Sequence, residues 1–480
     1  MSDFQFDAGT LTLENWPADA IRHFFPEIPW QWDPRIEKWR CDAVHYHRIV
    51  EIACVCQLDL GQLDPGESIS RDSSVRWPSI TLPTPRPEQE RAIAAWCHTR
   101  RGVVVMPTGT GKTEVALHVM ANTCCSTLVV APVRDLMYQW HRRILRGLGY
   151  DAGILGDSHA NVRPVTVTTY ASACIHMQTI GDRFDLLIFD ECHHLSGPIR
   201  SDAARQSIAK QRLGLTATLE SSDSAMRAVA DLIGPIVYRL PISEVRGNTL
   251  ADYDVVRIPV ALNAPERARY DQLAEQIASY VYERRQQEPE FEWRNLSAES
   301  LTDGAASQIL RAFREKQSIE ERATEKFRVL EDLFRLHLGS PMLVFTGSNI
   351  MAREISLRFL IPCLLSHCGK RERLDYLEGL RDRRYPALVA NQVLDEGVDL
   401  PEVKVAVILG GKSSTRQAKQ RLGRILRRQG DARATLYEVV TEDTNEVKRS
   451  RKRRRNDAYP RARQRAPRPR QNPHPETGKP

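Results

Sequence analysis

Gly102-Val-Val-Val-Met-Pro-Thr-Gly-Thr-Gly-Lys-Thr113 is the stretch on which the fold turns. An apolar run enters a turn with two closely spaced glycines, and a helical pattern starts near Lys112. Glycine reaches backbone conformations closed to other residues, so Gly109 and Gly111 let N–H groups crowd around phosphate oxygens. The helix start adds its partial positive charge. In such a loop Pro107, Thr108, Gly109, Thr110 and Gly111 wrap the phosphates of ATP. Lys112 then neutralises the β- and γ-phosphates, and the Thr113 hydroxyl holds Mg2+. Met106 stands where a complete phosphate-loop motif has its first glycine.

Around this loop one rhythm repeats: apolar strand, turn, amphipathic helix. Strands are expected near Val103–Met106, Leu128–Ala131, Val165–Thr168, Leu186–Asp190 and Leu213–Thr216. Apolar runs alternating with helices predict an α/β class with parallel sheets covered on both faces. From about 264 to 337 the strand signal disappears, and Tyr270, Leu273, Ile277 and Tyr280 follow helical spacing amid dense charge. A second series follows at Met342–Phe345, Ile361–Leu365, Ala387–Ala390, Val403–Leu409 and Thr435–Val440. The expected organisation is a small N-terminal domain (1–80), a first lobe (81–250), a linker with a helical insertion (251–337), a second lobe (338–446) and a basic disordered tail (447–480). Pro65 to Pro87, rich in Pro, Ser and Asp, reads as a linker, and Tyr46 to Leu60 suits a strand or a short helix.

Leu186-Leu-Ile-Phe-Asp-Glu-Cys-His-His194 carries the second chemical signal. Its apolar residues bury a central strand, and two carboxylates emerge at the C-terminal end, where open α/β sheets place their ligands. Asp190 suits direct or water-mediated contact with Mg2+, and Glu191 suits orienting and deprotonating an attacking water. His193 is a candidate relay toward the second lobe. Adjacent strand residues point to opposite faces, which argues against a metal site built from Cys192 and His194.

At 480 residues, the chain is long enough for several domains, and its 41% hydrophobic content supports a sizeable core. The net charge is +7. Residues 446–480 hold thirteen Lys and Arg against three Asp and Glu, so the folded body is slightly acidic. A tail of this kind, including Lys448 to Arg455, attracts phosphates without sequence preference. The ten cysteines include no C-x2-C pair, so buried or inert thiols are expected. No run approaches a membrane span, and the N-terminus lacks a signal-peptide pattern, which gives an expectation of a cytoplasmic protein without membrane contact.

Together these residues resemble the superfamily-2 helicases of the DEAD/DEAH type, and more narrowly the XPB-like DNA helicases and translocases, over roughly 85–445. The resemblance implies two RecA-like lobes. Arg86-Pro-Glu-Gln89 is similar to the adenine-sensing Q motif, with Gln89 as base reader. The phosphate loop and Asp190-Glu-Cys-His193 resemble motifs I and II. Ala131-Pro-Val-Arg134 with Gln139 and Trp140 resembles motif Ia, which implies that Pro132 and Arg134 touch the nucleic-acid backbone. Thr216-Ala-Thr218 resembles motif III, which couples hydrolysis to strand movement. Phe345-Thr-Gly-Ser348 resembles motif IV, and Leu394-Asp-Glu-Gly-Val-Asp-Leu-Pro401 motif V, implying Gly397 near the γ-phosphate and Asp399 near the ribose. Thr169, Phe345, Asn391 and Arg421 join the nucleic-acid set on the same resemblance.

Gln420-Arg-Leu-Gly-Arg-Ile-Leu-Arg427 is similar to motif VI, implying Arg424 and Arg427 as arginine fingers with Gln420 and Arg421 in support. Arg421, Arg424 and Arg427 recur at i, i+3 and i+6, which nearly aligns three guanidinium groups on one helix face. Trp32-Asp-Pro-Arg35, Trp39-Arg40 and Tyr46 resemble a small DNA-sensing domain, although aromatic residues also suit a small core. Two departures stand out: Thr218 is followed by Leu-Glu-Ser-Ser-Asp223 where the family often has Arg-Glu-Asp, and Asn391 replaces a Thr or Ser.

The resemblance implies an ATP-dependent DNA helicase or translocase, moving 3′ to 5′, with DNA and a nuclease or a repair or defence factor as partners. An RNA helicase on the same engine is one rival. A duplex-DNA translocase subunit that remodels protein–DNA complexes for a partner nuclease, without unwinding, is another.

Overall fold

Strands with one solvated face alternate apolar and polar residues, whereas uninterrupted Val, Leu and Ile runs need cover on both sides. The chain holds both kinds. Its computed structural model describes residues 4–58, 60, 74–197, 199–217, 223–241, 244, 253–293, 296–300, 303–365, 367–391, 403–410 and 434–454. At the N-terminus β1 (Phe4–Asp7), β2 (Thr10–Leu13), β3 (Gln31–Asp33) and β4 (Lys38–Asp42) form an antiparallel sheet in the order β1-β2-β4-β3. Helices α1 (Ala18–Phe24) and α2 (Tyr46–Cys56) close its core on Phe4, Leu11, Leu13, Ile21, Phe25 and Ile49. Trp16, Trp30 and Trp39 pack against that core, while Trp32 stays 49% exposed. The segment after Tyr46 is therefore helical.

The second sheet has eight strands: β5 (Arg101–Val105), β6 (Thr127–Ala131), β7 (Gly153–Gly156), β8 (His159–Ala160), β9 (Val165–Thr169), β10 (Leu186–Asp190), β11 (Gln211–Thr216) and β12 (Ile236–Arg239). Their order is β12-β5-β11-β10-β6-β9-β7-β8, parallel throughout except for β7 with β8. Side chains alternate across the sheet with period two. Val104, Val129, Ile188 and Leu215 face α3 (Pro87–Thr99), α4 (Lys112–Thr123) and α5 (Arg134–Leu148). Val103, Val105, Leu128 and Phe189 face α6 (Tyr170–Ile180), α7 (Asp202–Arg205) and α8 (Asp223–Ile233).

The third sheet is all parallel: β13 (Tyr253–Val260), β14 (Met342–Thr346), β15 (Cys363–Leu364), β16 (Ala387–Ala390), β17 (Val405–Leu409) and β18 (Ala434–Thr441), in the order β13-β18-β17-β14-β16-β15. One strand corrects the sequence reading. Tyr253–Val260 carries Asp254, Arg257 and Pro259, which reads as linker, yet it pairs along its whole length with β18. It is an edge strand, where proline costs no ladder bond to a second neighbour. Between β13 and β14 lie α9 (Ala264–Gln287), α10 (Leu296–Glu299), α11 (Gly304–Glu321) and α12 (Thr324–Leu336). Asn263 and Glu266 start α9 with reciprocal side-chain to backbone bonds of 2.9 and 3.0 Å, a capping box that satisfies two end donors. The lobe is completed by α13 (Asn349–Phe359), α14 (Lys370–Arg381) and α15 (Asn445–Arg454).

Contacts between distant segments tie the parts together. Ile208, from the loop before β11, is buried in the N-terminal core, and His47 Nε2 lies 2.8 Å from its carbonyl. Lys326 of α12 and Glu446 of α15 form a fully buried ion pair at 2.7 Å. Among the described residues, no helix is long and apolar enough to cross a membrane.

Candidate nucleotide-hydrolysis site

Strand β11 lies between β5 and β10, so the phosphate loop after β5 and the carboxylates ending β10 both meet the end of β11. That edge is where parallel sheets hold ligands. Gly109 and Gly111 adopt φ of +88° and +83°. A Cβ on Gly111 would lie 2.3 Å from the Gln89 amide nitrogen, and at this φ any other residue would be strained. Thr110 Oγ1 closes the turn by donating to the Pro107 carbonyl at 2.7 Å. Lys112 opens α4 almost fully buried; its Nζ donates to the Met106 carbonyl at 3.2 Å and lies 3.9 Å from Glu191 Oε1. Thr113 follows, half-buried, in the first turn.

The cradle fits a phosphate group. The Thr108 hydroxyl is buried in the loop without a hydrogen-bond partner, an expense that a polar ligand would relieve. Among the described residues no cluster of three or more His, Cys, Asp or Glu could hold a metal by itself. A Mg2+ site that borrows substrate oxygens needs only one or two protein ligands, and Thr113 and Asp190 supply oxygens of that kind.

Arg86 and Gln89 brace the loop from α3. Arg86 Nη2 and Gln89 Nε2 both donate to the Thr110 carbonyl, the latter at 3.0 Å, and Gln89 Oε1 accepts from the Arg86 backbone N–H at 2.9 Å. Both ends of the Gln89 amide are thus engaged within the protein. Gln89 therefore holds the loop, while its amide oxygen keeps a second hydrogen-bonding position.

Asp190 is buried and its carboxylate is held on both oxygens. Trp140 Nε1 donates to Oδ2 at 2.9 Å, and the Glu191 backbone N–H donates to Oδ1 at 3.0 Å. Burial first, and then the charge of Glu191, push its carboxyl up to about 6, opposed by Trp140 and Lys112. Glu191 takes a left-handed conformation at φ +49°, uncommon outside glycine and often kept at functional sites. Its Oε2 lies 3.4 Å from Thr216 Oγ1 and 3.4 Å from His193 Nδ1.

The nucleic-acid set is only partly brought to the surface. Arg134 is exposed at the start of α5 and bonds Asp157 Oδ1 at 2.6 Å; Pro132 is half-buried just before it. Asn391 is half-buried, with its amide donating to Asn349 Oδ1 at 2.7 Å. Two expectations are corrected. Phe345 is 1% exposed, because a parallel strand covered on both faces buries every side chain. Thr169 is buried and caps α6 by accepting from the Ser172 N–H at 3.3 Å. Trp140 points into the lobe toward Asp190. Thr218, Gly397, Asp399, Gln420, Arg421, Arg424, Arg427 and the tail beyond 454 lie outside the described residues.

Sequence patterning also passed over Tyr170, whose hydroxyl donates to the Asp190 carbonyl at 3.0 Å, and Arg212, whose buried guanidinium donates to the carbonyls of Ala204, Ser207, Ala209 and Leu232. An aromatic next to a strand end and an arginine at a strand start carry no local sign of such partners.

Known proteins resemble this chain in sequence and in fold. Residues 4–54 match the Xeroderma pigmentosum group B helicase damage recognition domain, 82–221 the type III restriction enzyme res subunit, and 305–457 the ERCC3/RAD25/XPB C-terminal helicase. The DNA 3′-5′ translocase XPB2 of Sulfurisphaera tokodaii is 38% identical over 77% of this chain and 84% of its own. The DNA 3′-5′ helicase XPB of Kineococcus radiotolerans is 30% identical over 75% of this chain, which spans 60% of that longer relative. The crystal structure of the Pyrococcus furiosus Hef helicase domain shares the fold, with a TM-score of 0.54 at 17% identity over 76% of this chain and 97% of that one. On these matches, and on the convergence of its phosphate loop with the Asp190–Glu191 strand end, the chain belongs to the XPB family of superfamily-2 DNA helicases and translocases.

Proposed function

We propose that the protein uses ATP hydrolysis to move 3′ to 5′ along DNA. The observation that carries this reading is the convergence of Lys112, Asp190, Glu191 and Thr216 at the ends of three adjacent strands. Lys112 exchanges the Met106 carbonyl and Glu191 for the β- and γ-phosphates, and the loop from Pro107 to Gly111 surrounds them with N–H donors. Mg2+, held by Thr113 and Asp190, supplies positive charge against the phosphate oxygens when bound. Glu191 orients the attacking water and takes its proton. Arg424 and Arg427 bring charge from the second lobe to the transition state, with Gln420 and Arg421 in support and Gly397 and Asp399 near the γ-phosphate and ribose.

His193, Thr216 and Thr218 pass the change at the phosphates to the strand-moving surface, and closure and opening between lobes ratchets the DNA. Pro132, Arg134, Asn391 and Arg421 face its backbone. The name of the Sulfurisphaera tokodaii relative, a 3′-5′ translocase, supports the direction. Its partners in this reading are DNA and a nuclease or a repair or defence factor that uses the movement. The ten cysteines are unpaired, which suits a reducing compartment such as the cytoplasm.

The test is ATP turnover alone and with single-stranded DNA, duplex DNA and RNA, with Glu191→Gln as the blank. Stimulation by DNA supports the reading; stimulation by RNA alone overturns it. Leu-Glu-Ser-Ser in place of Arg-Glu-Asp after Thr218 favours a second reading, movement on duplex DNA without strand separation. A strand-displacement assay beside a roadblock-removal assay decides between them.

A further inference from the structure

Trp140 lies in the middle of α5, the helix that presents Arg134 at its exposed first turn. Residue 140 is 2% exposed, and its indole N–H reaches the buried carboxylate of Asp190 at 2.9 Å. The other carboxylate oxygen takes the Glu191 N–H at 3.0 Å, and the Tyr170 hydroxyl pins the Asp190 carbonyl at 3.0 Å. With one donor on each oxygen the carboxylate plane is fixed, whereas a single donor would leave it free to turn about its Cβ–Cγ bond. The helix itself is anchored elsewhere: Tyr138 bonds Asp157 at 2.8 Å, and Asp135 lies 3.9 Å from Arg373 of the second lobe.

We propose that Trp140 is the positioning residue for the metal-holding carboxylate: its indole N–H fixes the plane in which Asp190 offers oxygen to Mg2+, and it links that plane to α5. The proposal rests on the reading of Asp190 as a Mg2+ residue. Partners that orient a ligating group commonly change metal affinity by about 10–100-fold when removed. An N–H that merely filled space would have no such effect.

The test is binding of a fluorescent, non-hydrolysable ATP analogue to the full chain, titrated with Mg2+ and, separately, in EDTA. Trp140→Phe keeps an aromatic ring and removes the donor. The expected result is a roughly tenfold rise in the half-saturating Mg2+ concentration, with affinity in EDTA unchanged. Superimposable Mg2+ curves overturn the proposal. A proportional loss of affinity in EDTA also overturns it, because that is the signature of disturbed packing. If Trp140→Phe does not fold, 3-benzothienylalanine at position 140 keeps the size of the ring system and deletes only the N–H, and the same outcomes apply. A wild-type protein whose analogue affinity ignores Mg2+ removes Asp190 as a metal residue and the proposal with it. A wild-type protein with normal Mg2+ linkage but no response to DNA removes only the motor reading.

Discussion

His193 Nδ1 lies 3.1 Å from Thr216 Oγ1, and Glu191 Oε2 stands 3.4 Å from both atoms, closing a triangle across the ends of β10 and β11. A threonine hydroxyl can donate to one partner and accept from another. Thr216 is therefore placed to change partners when Glu191 turns toward water. Thr216→Val keeps the shape and removes the hydroxyl. The expected outcome is near-normal ATP affinity with DNA-stimulated turnover reduced about tenfold, less than the roughly 10²–10⁴-fold for losing the proton-transfer group itself, because Thr216 acts through Glu191. Equilibrium nucleotide binding and steady-state turnover with DNA check it.

Glu191→Gln separates binding from chemistry. The amide retains the size of the carboxylate and cannot take a proton. Turnover should fall by roughly 10²–10⁴-fold while the ATP analogue still binds. Near-normal turnover in a single-turnover assay would remove Glu191 as the water-activating group.

Lys112→Ala acts at an earlier step. Nζ lies 3.9 Å from Glu191 Oε1, and its charge opposes the upward push on the Asp190 carboxyl. Without it the phosphate loop loses its charge and two neighbouring carboxylates face the nucleotide unopposed. Analogue affinity should fall at least tenfold, read by the same fluorescence titration, in contrast to Glu191→Gln.

Acid should loosen the seat of the N-terminal domain. His47 sits against the Ile208 carbonyl, and burial pushes its imidazole down to about 4 from an ordinary 6.5; Lys210, Arg101 and Arg212 push the same way. The folded protein keeps this ring neutral while the unfolded chain protonates it, so its contribution is present above pH 6.5 and is lost as pH falls toward 4. Thermal melts between pH 7 and 4.5 should show a decline that is shallower in His47→Gln. Identical slopes for the two proteins would exclude His47 as a source of the decline.

The Lys326–Glu446 pair predicts an asymmetry. Both side chains are fully buried, and Glu446 Oε2 also accepts from the Thr441 N–H at 2.9 Å. Removing one partner, as in Lys326→Met, leaves a buried charge and should cost about 3–5 kcal/mol. The double change Lys326→Met with Glu446→Leu should recover part of that loss. Denaturant unfolding of the three proteins checks the order.

The motifs were legible because their chemistry is local. A phosphate loop needs its glycines, lysine and threonine within one turn, and the carboxylates of Asp190 and Glu191 must follow one apolar strand directly; both patterns survive in the linear sequence. Expectations failed where a side chain's direction decides its role. Phe345 and Thr169 carry family-like neighbours, yet strand packing buries the Phe345 ring and helix capping engages the Thr169 hydroxyl. The strand Tyr253–Val260 was hidden because an edge strand with a proline and charges has no strong pattern of its own until β18 supplies its partner.

By itself the sequence determined the α/β class and the repeated strand–helix rhythm, and it singled out the candidate residues for a nucleotide site. Each of these follows from periodicity, glycine geometry or charge within a few neighbours. Only the tertiary structure decided that β11 would stand between β5 and β10, so that Thr216 meets His193 and Glu191. It also decided that Trp140, fifty positions before Asp190, would donate to its carboxylate. Strand order and side-chain direction across a sheet are set by the packing of whole faces against helices, and no short window of sequence contains that information.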